Sequence, residues 1–343
     1  MQTPGGKKPK STNDGLAIMN RCVGFAGCKN TTLDAMKMVM RNGYTIDYLI
    51  TIDPISGEEQ SVAGYTDLRS FCEESGITCY LADRYSLNNA KDKEQILKLG
   101  LDILLVIGWQ RLIPNWFLNT LNVGAFGMHG ASKPLPFGRG RSPLNWSIIQ
   151  NRNIFYTHLF RYKPGIDDGD IVGVQTFDIN PFDTCETLHF KNVVSMGQLL
   201  AKHLPFLLDG TVKCTPQPLG KATYYPKRNA EDGLIHFQDS TLDIYNLIRG
   251  VTRPFPGAFA FLDDNTEMKI IIWRAQPFDT QLTYGKKAGE IVEVFYNNQF
   301  VVATGDGTLL VTDYDGFALD DSLLGHYLGT RGIPKKIWQN LPE

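Results

Sequence analysis

From residue 22 onward, short apolar runs alternate with amphipathic ones: 22–26 then 32–41, 44–52 then 66–74, 77–81 then 87–99, 101–108 then 114–121. Strands alternating in this way with helices of period 3.6 specify an α/β domain, with a mostly parallel sheet covered on both faces. Thr31 and Thr32 are suited to capping the first helix and Asn42-Gly43 to ending it, while Gly76 and Gly100 follow the second and third. The run 123–128 adds a central strand with His129 at its carboxyl end. Two more strands, 155–161 and 170–177, flank a turn, and 185–208 reads as a long closing helix. Past a linker at 212–220 the pattern changes to one helix at 242–250 and short strands at 257–262, 268–273, 289–295, 300–303 and 309–313. That spacing suits a small barrel. The expected division is a tail over 1–19, a larger domain over 20–210 and a smaller β-rich domain over 211–343.

Composition narrows the function. The chain has 343 residues, 43% hydrophobic and 20% charged, and no run of ~20 apolar residues that would span a bilayer, so no membrane insertion is expected. Its six cysteines (22, 28, 72, 79, 185, 214) lack CxxC pairs and zinc-ligand spacing. Free thiols in a reducing cytoplasm, and no metal, are the expectation. Residues 1–14 are polar and lack the apolar stretch of a signal peptide, so the chain is read as opening on a disordered tail, taken over 1–19. The net charge is −2, and residues 206–343 carry 13 Lys and Arg against 17 Asp and Glu, a net of −4. Binding a polyanion such as tRNA calls for a basic face, so no nucleic-acid partner is expected. Apolar stretches at 291–295 and 255–261 offer a candidate homodimer surface.

The candidate chemistry gathers at the carboxyl ends of the strands, where open α/β sheets bind ligands. His129 lies between Gly127-Met128 and Gly130, ahead of a loop rich in Pro, Gly and Arg. Glycines allow close approach of backbone to ligand, and histidine is the usual general base near neutral pH. Downstream, the turn Gly165-Ile166-Asp167-Asp168-Gly169-Asp170 supplies carboxylates without the ligand spacing of a calcium loop. A carboxylate beside the imidazole would hold its tautomer and stabilise the imidazolium. Gly27-Cys28-Lys29-Asn30 follows the first strand but lacks G-x-G-x-x-G, which disfavours NAD, although amides at that helix start suit a phosphate or carboxylate.

Several motifs in order resemble the folate-dependent formyltransferase family. These are Gly108-Trp109-Gln110-Arg111-Leu112-Ile113-Pro114, His129-Gly130 with Arg139-Gly140-Arg141-Ser142-Pro143-Leu144-Asn145-Trp146, and Gly165-Ile166-Asp167-Asp168-Gly169. Two later blocks, 224–233 and 246–259, resemble the second domain of sugar N-formyltransferases and methionyl-tRNA formyltransferases. The resemblance implies a Rossmann-like formyltransferase domain followed by an OB-like barrel, with N10-formyltetrahydrofolate as co-substrate. It implies catalytic roles for His129 and Asp167. The family's third catalytic residue, an Asn two positions before the His, is Gly127 here, and Asn145 or Gln110 is the candidate replacement amide. Trp109, Gln110, Arg111, Leu112 and Ile113 would form one wall of the folate site, and Lys163, Gly165 and Ile166 the other. Gly27, Cys28, Lys29, Asn30, Arg139, Arg141, Ser142, Pro143 and Tyr225 would face the acceptor.

The acidic second domain and the 139–146 wording favour a nucleotide-linked amino sugar as that acceptor, within the synthesis of a surface polysaccharide or glycan precursor. A methionyl-tRNA formyltransferase and a non-catalytic folate- or sugar-nucleotide-binding homologue stay open as alternatives.

Overall fold

The computed structural model describes residues 21–60, 62, 64–279, 281, 287–318 and 320–338. The tail expected over 1–19 lies outside the described residues. Eight strands come first: β1 (Val23–Ala26), β2 (Tyr48–Thr51), β3 (Thr78–Leu81), β4 (Ile103–Val106), β5 (Gly124–Ala131), the two-residue β6 (Arg139–Gly140), β7 (Ile154–Arg161) and β8 (Ile171–Asp178). Seven of them form one sheet in the order β3-β2-β1-β4-β5-β7-β8. The pairs from β3 through β5 are parallel, whereas β5–β7 and β7–β8 are antiparallel. β1 and β4 are buried at every position, as strands covered on both faces must be. At the edge, β8 exposes alternate residues near its end.

One face of this sheet, with Phe25, Leu49, Leu105 and Phe126, packs on helices α1 (Asn30–Arg41) and the long Cys185–Leu208. The other, with Ala26, Ile50, Leu104 and Val106, meets Ile96, Trp109 and Phe117. Two local expectations shift. The first helix begins at Asn30, earlier than 32, because Thr32 Oγ1 accepts from the Lys29 N–H at 3.2 Å from inside the first turn. The apolar run 44–52 yields a strand only over Tyr48–Thr51, followed by a short helix, Pro54–Glu59, capped by Asp53, whose carboxylate accepts from Ser56 N–H at 2.8 Å. Asp-Pro is an ordinary helix start, so that helix was legible in the chain.

After the linker come β9 (Tyr224–Tyr225), then β10 (Ala258–Leu262), β11 (Lys269–Pro277), β12 (Ile291–Val294), β13 (Phe300–Ala303), β14 (Thr308–Asp315) and β15 (Leu328–Gly329). The last six form an antiparallel sheet ordered β12-β13-β14-β11-β10-β15. Its two edges meet through a bridge between Glu290 and Tyr327, with Ile291 N–H on the His326 carbonyl at 2.8 Å, so the sheet curls round on itself. Of the stretches read as a candidate dimer surface, Ile291, Ala258 and Ala260 are core, while Phe295 is 38% exposed. Strand alternation turns Ala258, Ala260 and Leu262 inward and Phe259 and Phe261 to the opposite face.

The helices Pro143–Ile149 and Thr241–Val251 join the two sheets. Asn145 Nδ2 donates to the Gly250 carbonyl at 2.7 Å. The buried Arg249 guanidinium donates to the Asp183 carbonyl at 2.7 Å and the Asn180 carbonyl at 3.2 Å. The linker meets the edge of the first sheet, with Thr215 bridging Ile171, and β9 pairs with β6 directly after the His129 loop.

Candidate active site

The carboxyl ends of β1, β4 and β5 are adjacent because the strands are parallel neighbours. Thr32 locks two of them, since its hydroxyl donates to the Ile107 carbonyl at 2.7 Å. Gly108, at φ +80°, lets the β4 loop close over this hydroxyl; a Cβ there would lie 2.4 Å from Thr32 Oγ1. The Tyr85 hydroxyl accepts from Gln110 N–H at 2.9 Å and lies 3.6 Å from the Cys28 thiol, while Trp109 meets the Tyr85 ring edge-on at 4.6 Å. Trp109 Nε1 is buried without a hydrogen-bond partner among the described residues. Arg111 folds back over Tyr85 at 4.7 Å, which leaves Leu112 54% exposed.

His129 sits on β5, 8% exposed. Its Nδ1 lies 3.4 Å from Asp167 Oδ2 and its Nε2 2.8 Å from the Gly138 carbonyl oxygen. A carbonyl only accepts, so Nε2 carries a proton in this arrangement. Asp167 adopts φ +48°, and its carboxylate also accepts from Gly140 N–H at 2.9 Å. Gln217 braces the turn from the linker: its amide donates to the carbonyls of Asp167 (2.7 Å) and Gly169 (2.8 Å), and its oxygen accepts from Arg139 at 2.6 Å. Lys163 is held by Asp170 at 2.7 Å, and Ile166 is 49% exposed.

His158 lies directly across from His129 on β7. Its Nε2 accepts from Leu135 N–H at 3.2 Å, which leaves Nδ1 to donate to the His129 carbonyl at 3.3 Å. Burial, with the His129 charge adding to it, pulls the His158 imidazole down to about 4. It therefore stays neutral and holds the loop after His129.

The structure thus brings His129, Asp167, Arg139 and Gly140 together, and sets Gly27, Cys28 and Lys29 beside the Gly108–Gln110 loop. Lys29 and Arg141 are near one another: burial pushes the Lys29 ammonium down, and the Arg141 charge adds to this. Neither has an acidic partner among the described residues, and Arg141 is exposed. Asn30 is exposed at the helix start, its Oδ1 accepting from Thr31 N–H at 2.9 Å. Cys28 is buried and burial raises its thiol, which makes it a packing residue. Ser142 stands at the N-cap position of the helix that Pro143 begins without a side-chain capping bond, and its hydroxyl accepts from Arg228 N–H at 3.4 Å.

Two expectations are corrected. Asn145 cannot be the replacement amide, because its donor is engaged by Gly250 at the junction of the sheets. Tyr225 does not face an acceptor: it is 2% exposed, lies parallel to Trp146 at 6.2 Å, and its hydroxyl bonds Ser132 at 2.6 Å and Gln150 at 3.1 Å. Sequence reading missed Gln217, His158 and Tyr85. Only the Pro-Gln-Pro context of Gln217, in an otherwise featureless linker, sets any of them apart.

Two family descriptions match the chain, "Formyl transferase" over residues 57–201 and "Formyl transferase, C-terminal domain" over 227–315, together more than half of its length. Among solved structures, the fold is similar to an N-formyltransferase from Helicobacter canadensis in complex with folinic acid and dTDP-3-aminofucose (TM-score 0.63, 17% identity, covering 85% of this chain and 99% of that one). It is also similar to WlaRD, a sugar 3N-formyl transferase in the presence of dTDP and 5-N-formyl-THF (TM-score 0.61, 18%, 86% and 97%). A methionyl-tRNA formyltransferase from Clostridium thermocellum shares the fold as well (TM-score 0.54, 18%, 87% and 99%). With both halves of the family's architecture in order along one chain, this protein belongs to the formyl transferase family.

Proposed function

We propose that the protein is an N-formyltransferase that moves a formyl group from N10-formyltetrahydrofolate to the primary amine of a nucleotide-linked amino sugar. The observation that carries this reading is the His129–Asp167 pair at 3.4 Å on the rim where the strands end. An uncharged amine attacks the formyl carbon and the bond from that carbon to N10 breaks. One proton leaves the amine and one arrives at the folate nitrogen. In this reading the His129–Asp167 pair carries that proton, with the Asp167 carboxylate stabilising the imidazolium while it is held. Nε2 is engaged by the Gly138 carbonyl in this arrangement, so accepting the amine proton there requires that bond and its proton to be given up first. Holding both reactants in contact removes a large part of the barrier, on the order of 7–11 kcal/mol.

The residues present fit a folate. Leu112 and Ile166 present exposed apolar side chains, and the buried Trp109 Nε1 is a donor without a partner among the described residues. Relatives of the same fold carry folinic acid or 5-N-formyl-THF. Lys29 and Arg141 suit the phosphates of a sugar nucleotide, and the net charge of −4 over 206–343 speaks against tRNA. Incubation with N10-formyltetrahydrofolate and a panel of nucleotide-linked amino sugars, read by mass, is expected to show the gain of one formyl group. Formylation of methionyl-tRNA alone would replace the acceptor, and no product with any amine would replace the reaction.

A further inference from the structure

Gly127 precedes His129 by two residues on β5, so both face the same side of the sheet. A Cβ at 127 would lie 2.3 Å from Tyr162 Cε2, 3.1 Å from Tyr162 Cζ and 2.6 Å from the Val106 carbonyl oxygen. The ring of Tyr162 therefore occupies the volume in which a side chain at 127 would stand. Its hydroxyl is one bond beyond Cζ, within the radius that a short amide side chain from 127 would sweep. The ring is held there. Tyr162 N–H donates to the Ala125 carbonyl at 2.8 Å, and the ring stacks on Phe160 at 5.1 Å and 16°. It also packs against the cluster containing Trp109 and Ile113, so it links the His129 side of the cleft to the proposed folate wall. Its hydroxyl has no hydrogen-bond partner among the described residues. Burial, and then the nearby Asp167 charge, push the phenol pKa well up, which keeps its proton in place for donation.

We propose that the Tyr162 hydroxyl is the hydrogen-bond donor to the formyl oxygen, supplied from the neighbouring strand in the space that Gly127 leaves open. This rests on the formyl-transfer reading. As the amine nitrogen bonds to the formyl carbon, the C=O π pair moves onto oxygen and the phenol O–H donates to it without giving up its proton. When the bond from carbon to N10 breaks, the pair returns and the carbonyl re-forms. A fixed donor at a developing oxyanion is worth roughly 10²–10³ in rate.

The test uses the full chain and a 10-formyl folate analogue that binds without transferring, carrying a ¹³C-labelled formyl group. In wild type, infrared difference spectra are expected to show the formyl stretch lowered on binding. In Tyr162→Phe it moves back up, and kcat with the best amine falls by roughly 10²–10³ while KM changes little. An unchanged stretch and kcat in Tyr162→Phe overturn the role of Tyr162 alone. Failure of the analogue to bind wild type overturns the formyl-transfer reading, and this assignment with it.

Discussion

His129 and Asp167 are 38 positions apart in the chain and meet only because β5 and the turn after β7 are brought to one rim. If they carry the proton, His129→Asn and Asp167→Asn should each lower kcat/KM by roughly 10²–10⁴ with the fold intact. Unchanged formyl transfer in both variants would remove them from the mechanism. His158 tests a different property. It is fully buried and neutral, with a folded pKa of about 4 against about 6.5 unfolded. The unfolded chain therefore binds the proton first. Stability should be fully present above about pH 6.5 and fall as pH drops toward 4, by roughly 3 kcal/mol from this group. Melting temperatures across that range should show the loss in wild type and a flatter profile in His158→Gln. At this scale the chain showed which residue types carry chemistry, and His129 and Asp167 could be named from their motifs. Gln217 and His158 could not, because a brace acts through its partners and the partners are set by the fold.

At the scale of elements, the linker is part of the site's frame. Gln217 holds the Asp167 turn and Arg139 together, while β6–β9 pairing fixes the loop after His129. Gln217→Ala should loosen the turn by roughly 1–3 kcal/mol. The readout is faster hydrogen exchange at the Gly140 amide, which Asp167 holds at 2.9 Å; an unchanged rate would show that the turn stands without its brace. The alternation of strand and helix was plain through 22–131, where buried strands make continuous apolar runs. The linker was opaque because its bonds are made by single polar side chains with no period to read.

For the molecule as a whole, the question is whether the two sheets form one cooperative unit. Trp146 sits at their junction, 2% exposed, with its indole N–H on the Pro226 carbonyl at 2.9 Å and Arg228 over its ring at 4.8 Å. Arg249 and Asn145 cross the same boundary. Trp146→Ala should cost about 3–5 kcal/mol and shift a single calorimetric transition downward. Splitting of the wild-type profile into two transitions would instead show that the sheets unfold independently. No helix among the described residues is long and apolar enough to cross a membrane.

Taken alone, the sequence determined the main alternation of strands and helices, the change from an α/β pattern to a β-rich one, the motif residues and the charge balance, because periodicity and composition are properties of neighbouring positions. Only the tertiary structure decided that Asn145 ties the two sheets, that Tyr225 is buried against Trp146, that Gln217 braces the Asp167 turn, and that the ring of Tyr162 fills the space beside Gly127. Those facts depend on which side chain occupies a given volume, and that is settled by strands and loops far apart in the chain.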